Sequence, residues 1–251
     1  MTGRRVASIT IILFSLWCLL SCGIEDSPYL DFVPVRDVTI QDRDVTIRLP
    51  SYSSYFDNFV IFYRIYISGT YVSGIVGTSQ HSEINPALGS DYNSIYPSTN
   101  QTSTSVNTSN LANSFFSRNY HLLTLVGADI NSILNGSYGS VLKIMFPQDG
   151  DQPYLSLDGG GTYILQRAIQ SPGNNFNPKP DRYFLNHEDL YNSSNATKET
   201  NADVANRSIS SPPNLYTYVS MYIAATGRSY LTTIYSQPTF IGIFALADRS
   251  P

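Results

Sequence analysis

The densest grouping of chemically capable side chains is Asn186-His187-Glu188-Asp189-Leu190, where one imidazole lies beside two carboxylates. Such a set is able to move protons or to ligate a divalent cation. Consecutive side chains diverge, however, to opposite faces of a strand or by about 100° on a helix, so they converge only at a turn. The reading that follows is a hydrated turn or helix start; the alternative is an exported hydrolase or metal-binding enzyme using His187, Glu188 and Asp189. Asp149-Gly150-Asp151 and Asp158-Gly159-Gly160-Gly161 raise the question of calcium, which takes several oxygen ligands from turns. The Asp-x-Asp fragment lacks the third carboxylate and distal Glu of a helix-loop-helix calcium loop, and turn chemistry accounts for Asp-Gly and Gly-Gly. Gly159-Gly160-Gly161 precedes a predicted strand and no lysine follows it, unlike a phosphate cradle. Among the other histidines, His81 falls in a polar stretch and His121 at the head of an apolar run, where a satisfied strand-end imidazole is expected. No catalytic residue, metal ligand or cofactor is assigned.

Cysteine points to a different chemistry. The chain of 251 residues has 2 cysteines. Arg4 and Arg5 precede an apolar run from Ile9 to Leu20, shorter than the roughly 20 residues that span a bilayer, and Ser21-Cys22 follows. This is the pattern of a secretory signal. Its end, Leu19-Leu20-Ser21-Cys22, resembles a bacterial lipobox, which implies cleavage before Cys22 once its thiol has received a diacylglycerol. Cys18 leaves with the signal, so a mature monomer has no pair for a disulfide. The expected organisation is a lipoprotein signal peptide at 1–21, a lipidated N-terminus and short tether at 22–34, and one β-sandwich domain at 35–251. Gly23 to Pro28 reaches about 20 Å when extended, which holds the body near the membrane. The signal carries two of the 15 basic residues and none of the 19 acidic ones, leaving a mature net charge of −6. A surface of that sign gives no electrostatic basis for binding nucleic acid. The expected location is exported and lipid-anchored, at the cell membrane or outer membrane.

The body reads as strands. Val45, Ile47 and Leu49 alternate with Thr46 and Arg48, with Val38 and Ile40 on a partner segment across Gln41-Asp42-Arg43-Asp44, which predicts a hairpin. Asn58 to Ser68 is apolar or aromatic on both faces apart from Arg64 and predicts a central strand covered on both sides. Tyr71 to Gly77 suggests a shorter strand. Thr78 to Asn110 turns to Ser, Thr, Asn and Gln and predicts a long surface loop, pinned by a helical turn at Leu111, Phe115 and Phe116. Tyr120 to Val126 predicts a strand. Asp129 then caps a turn or two of helix in which Ile130, Ile133 and Leu134 share a face before Gly136. Short strands at Ser140–Phe146, Tyr154–Leu157 and Thr162–Gln166, separated by glycine turns, predict an antiparallel meander. A second polar stretch, 171–213, holds Asn-x-Ser/Thr triplets at Asn192, Asn195 and Asn206, read as by-products of composition. Leu215 to Ala225 predicts a strand reversed at Thr226-Gly227-Arg228-Ser229, and Tyr230–Tyr235 and Phe240–Leu246 complete the sheet. The strand tyrosines Tyr63, Tyr66, Tyr216, Tyr218 and Tyr222 are able to present a sugar- or peptide-binding face, but those on the central strand are expected in the core; the loop tyrosines Tyr92, Tyr96 and Tyr191 are left open.

Val45-Thr46-Ile47-Arg48-Leu49-Pro50 with Phe59 to Ser68 resembles the second and third strands of the fibronectin type III family. Tyr216 to Gly227 is similar to its penultimate strand and the turn after it, with Tyr216 at the tyrosine-corner position. The family's buried tryptophan has no counterpart, since Trp17 lies in the signal, and such a domain would carry an insertion from about Gly77 to Pro213. The expected fold is all-β, a mainly antiparallel β-sandwich of fibronectin III/Ig-like type, with long polar Ser/Asn-rich loops near 78–110 and 171–213 and one or two short helical turns. With the lipobox, the tyrosine-rich strands and polar loops resemble surface lipoproteins of spirochaete-like bacteria. That resemblance implies a location and a membrane-anchored surface-display or binding module, its loops open to a protein or glycan ligand. A structural envelope lipoprotein is a further alternative.

Overall fold

Two long strands, β3 (Asn58–Ser68) and β10 (Tyr216–Ser229), set the frame. They pair antiparallel without interruption from Asn58↔Thr226 to Ser68↔Tyr216. Their odd-and-even alternation puts Phe59, Ile61, Tyr63, Ile65 and Ile67 on one face with Val219, Met221, Ile223 and Ala225, and Phe62 and Tyr66 on the other with Tyr218 and Tyr222. Both faces are buried, as expected for the apolar run in β3.

The computed structural model describes residues 38–41, 43–51, 58–72, 80–95, 115–147, 152–167, 203–205, 216–229, 232–236 and 238–246, all within the unit Phe32–Pro251. Cys22 with its signal and tether, Asp149, Asp151, the His187-Glu188-Asp189 group, Tyr96, Tyr191 and the three Asn-x-Ser/Thr sites lie outside the described residues. Among the described residues the strands form two six-membered sheets. The first runs β1 (Val38–Gln41), β2 (Asp44–Arg48), β6 (Val141–Met145), β7 (Tyr154–Leu157), β8 (Thr162–Gln166) and β5 (Thr124–Leu125), each antiparallel to its neighbour. The predicted hairpin and meander are both here. In the second, β10 lies between β3 and, on its other side, β11 (Thr232–Tyr235) and β12 (Thr239–Ala245), while β3 takes β4 (His121–Leu122) and the parallel β9 (Val204–Ala205) on its free edge. Val45, Ile47, Leu142, Ile144, Leu155 and Leu165 of the first sheet meet the inward faces of β3 and β10 in one core. This is a mainly antiparallel all-β sandwich.

Five local expectations change. The chain does not turn at Thr226 to Ser229: β10 continues through them, because β11 pairs with that stretch and satisfies its backbone groups. Tyr120 to Val126 is not one strand but two, β4 in the second sheet and β5 in the first. Ile40 does not join the core, being 38% exposed on an edge strand between exposed Thr39 and Gln41, whereas Val38 packs half-buried against the core. The predicted polar loop is helical over its described part, as α1 (His81–Ile84) and α2 (Pro86–Ile95). Ile84, Leu88 and Ile95 fall on one side and pack on the outward aromatic face of the second sheet. Asn85 starts α2, its Oδ1 accepting from the Ala87 N–H at 2.9 Å, with Pro86 at the first helical position. Tyr71 and Val72 are not in a strand; the Val72 N–H donates to the Tyr218 hydroxyl at 2.8 Å. The α3 helix (Ile130–Leu134) forms as predicted, with Asp129 Oδ1 accepting from the Asn131 N–H at 3.0 Å.

Candidate functional site

The broken segment between β4 and β5 builds a cleft. Leu122 ends the second sheet and Thr124 enters the first, while the Leu123 N–H donates to the Ile61 carbonyl at 2.8 Å. Beside Val60 and Ile61 the edge of β3 therefore faces α3 instead of another strand. Asn58 Nδ2 ties β3 to α3, donating to the Asn131 carbonyl at 3.0 Å. What remains is a cleft of about 460 Å³ walled by Val60, Ile61, Leu122, Leu123, Leu125, Ala128 and Ile130, with Thr124, Gly127, Asp129 and Asn131 also contributing. Its size is that of a small-molecule site. The polar groups are engaged but accessible: Thr124 Oγ1 donates to the Gln166 carbonyl at 2.9 Å, and the exposed Asp129 carboxylate accepts from the Asn131 N–H and the Ser132 hydroxyl, both at 3.0 Å. This arrangement can hold an apolar group. It places no nucleophile beside a base.

One residue before Leu122, His121 belongs to a buried charged cluster. Asp203, fully buried at the start of β9, takes the Arg167 Nε–H on Oδ2 at 2.8 Å and the other guanidinium nitrogen on Oδ1. The Tyr63 hydroxyl donates to Oδ2 at 2.9 Å. Arg167 follows β8 and Asp203 leads into β9, so this pair ties the two sheets together. Burial pushes the Asp203 carboxyl up, but the Arg167 guanidinium and its hydrogen bonds outweigh it and hold the carboxyl below its ordinary value. For Arg167 burial is likewise outweighed by Asp203, and its pKa rises. His121, 7% exposed, is held below its ordinary value chiefly by burial, against the attraction of Asp203. The expected strand-end histidine is thus found at the strand end, with a carboxylate in its field. Sequence reading found His121 but not its partners, because Arg167 and Asp203 are far apart in the chain and neither sits in a motif.

A second polar group lies under α2. Asp91 accepts from Arg64, and from the Tyr66 hydroxyl at 2.6 Å; Tyr66 and Tyr120 hydroxyls are 3.0 Å apart, and Tyr120 donates to Ser220 Oγ at 3.3 Å. Burial raises the phenols of Tyr66 and Tyr120, the latter to about 12. Tyr63, Tyr66, Tyr218 and Tyr222 are fully buried, so they serve the core and not an open sugar-binding face. Tyr216 is half-buried against the exposed Tyr71, ring centroids 5.0 Å apart. His81, expected in a polar loop, is instead buried on α1 with edge-on contacts to Tyr92 and Phe240. Phe115 pins its helical turn by stacking on Phe62 at 4.3 Å, whereas Phe116 stays 40% exposed. Asp158 sits exposed in the turn after β7. Among the described residues no three His, Cys, Asp or Glu side chains group as a metal site, and no helix is long and apolar enough to cross a membrane. No family model, curated protein or solved structure matches the chain.

Proposed function

We propose that the protein is an exported lipoprotein, anchored through acylated Cys22, whose β-sandwich acts as a binding module for surface display. The observation that carries the binding reading is the 460 Å³ cleft beside the edge of β3, concave and apolar-walled with hydrogen-bonding groups contributed by Thr124, Asp129 and Asn131. The anchor rests on Leu19-Leu20-Ser21-Cys22 and the run before it, and the resemblance to surface lipoproteins of spirochaete-like bacteria rests on the same residues with the polar loops. A fibronectin type III-like character is supported by the placement of β2 and β3 in opposite sheets and by the pairing of β10 with β3 on one side and β12 on the other.

The test is capture by the full chain of a panel of matrix proteins, glycans and envelope components, run in parallel with Ala128→Trp, which fills the cleft from a partly buried position. A ligand retained by the native chain and lost by the variant is expected. A panel captured equally by both would remove the cleft from the function.

A further inference from the structure

Resting on the binding reading above, we infer that the cleft takes the alkyl chain of a cationic amphiphile. Its walls are the first argument. The chain holds 19 Tyr and 12 Phe, and aromatic rings crowd both the core and the face under α2. Among the described residues, those lining the cleft nevertheless include no aromatic ring. Sites for sugars, nucleobases and aryl groups use ring faces to stack on the ligand. An aliphatic wall of Leu, Ile and Val gives close dispersion contact to a flexible methylene chain and no such stacking surface.

Charge is the second argument. Asp129 is the one ionisable side chain in the lining among the described residues. Its carboxylate is exposed, and each oxygen, having accepted one hydrogen bond from α3, keeps acceptor capacity. A carboxylate at the cleft attracts an ammonium head and repels the head of a fatty acid. The net charge, −4 for the full chain and −6 once the signal is removed, acts in the same direction. Asn131 and Thr124 add neutral hydrogen-bonding groups that serve either head equally.

The test is site-mapped photolabelling of the full chain, which keeps label taken up by the anchor separate from label in the cleft. Three diazirine probes are compared: dodecylamine, dodecanoate and a phenyl glycoside. The amine is expected to label peptides covering 58–64 and 120–131, about threefold more than the carboxylate, the scale of one exposed charge pair. Ala128→Trp is expected to reduce that labelling at least tenfold. Asp129→Asn, which retains a capping side chain, is expected to equalise amine and carboxylate while leaving alkyl labelling in place. Stronger labelling of these peptides by the phenyl glycoside would overturn the aliphatic assignment and leave a binding cleft standing. An amine-over-carboxylate preference undiminished in Asp129→Asn would overturn the cationic head. Absence of cleft labelling by all three probes would overturn the inference, and the capture panel would then decide whether the binding reading falls with it.

Discussion

Asp203 has no exposed surface, and its charge is met by Arg167, itself 2% exposed. Removing one partner of such a pair strands the other in a low dielectric. Asp203→Asn is therefore expected to cost about 3–5 kcal/mol, read as a lower urea midpoint; an unchanged midpoint would show that the pair does not hold the sheets. Replacing the two together by Leu and Met should recover most of the loss, since packed apolar side chains commonly match a buried ion pair. The pH dependence has a definite sign. His121 and Asp203 both lie below their ordinary values in the folded chain, so on acidification the unfolded chain binds protons first. The His121 contribution is present above about pH 6.5 and is lost as pH falls through its folded value; that of Asp203 is present above about pH 4 and is lost below it. Stability measured against pH should begin to decline near pH 6.5, well before the carboxylates titrate. In His121→Gln that first decline should be absent, and its persistence would assign it to another group.

At the scale of elements, the pairing of β12 with β10 contains a register shift between Met221 and Tyr222, opposite Gly242. Gly242 has φ of 150°, and a Cβ there would come within 2.8 Å of the Phe244 ring. That ring is stacked on Phe146 of the opposite sheet at 4.5 Å and cannot withdraw without opening the core. Gly242→Ala is expected to cost about 1–3 kcal/mol, seen as a lower melting temperature with the core hydrophobics unaltered; an unchanged melting temperature would mean that the irregularity relaxes freely. A glycine inside an apolar run is the sequence signal for such a bulge, and Phe240-Ile241-Gly242-Ile243-Phe244 carries it. The helical cover was harder to read. Ile84, Leu88 and Ile95 are sparse among polar residues, and only Asn85-Pro86 marks where α2 begins.

For the whole molecule, the proposed lipid anchor makes a prediction of its own. Cys22→Ala should abolish acylation and release the protein from the membrane fraction, checked by palmitate labelling and fractionation. Retention of label in the variant would refute the lipobox. Each buried methylene adds about 0.8 kcal/mol to anchoring and firm attachment takes more than one acyl chain, so partial retention is not expected of the variant. Period-two burial is a local property, so the longer strands and their alternation are legible in the sequence alone: β2, β3, β6, β7, β8 and most of β10 follow from neighbouring residues, whereas the two-residue strands β4, β5 and β9 do not. The cap at Asp129 and the helix after it were equally local. Only the tertiary structure decided that Leu123 carries the chain from one sheet to the other, and so opens the cleft. It also decided that Arg167 meets Asp203, 36 positions away. Both depend on which strands become neighbours, and pairing between distant segments leaves no periodic trace in either one.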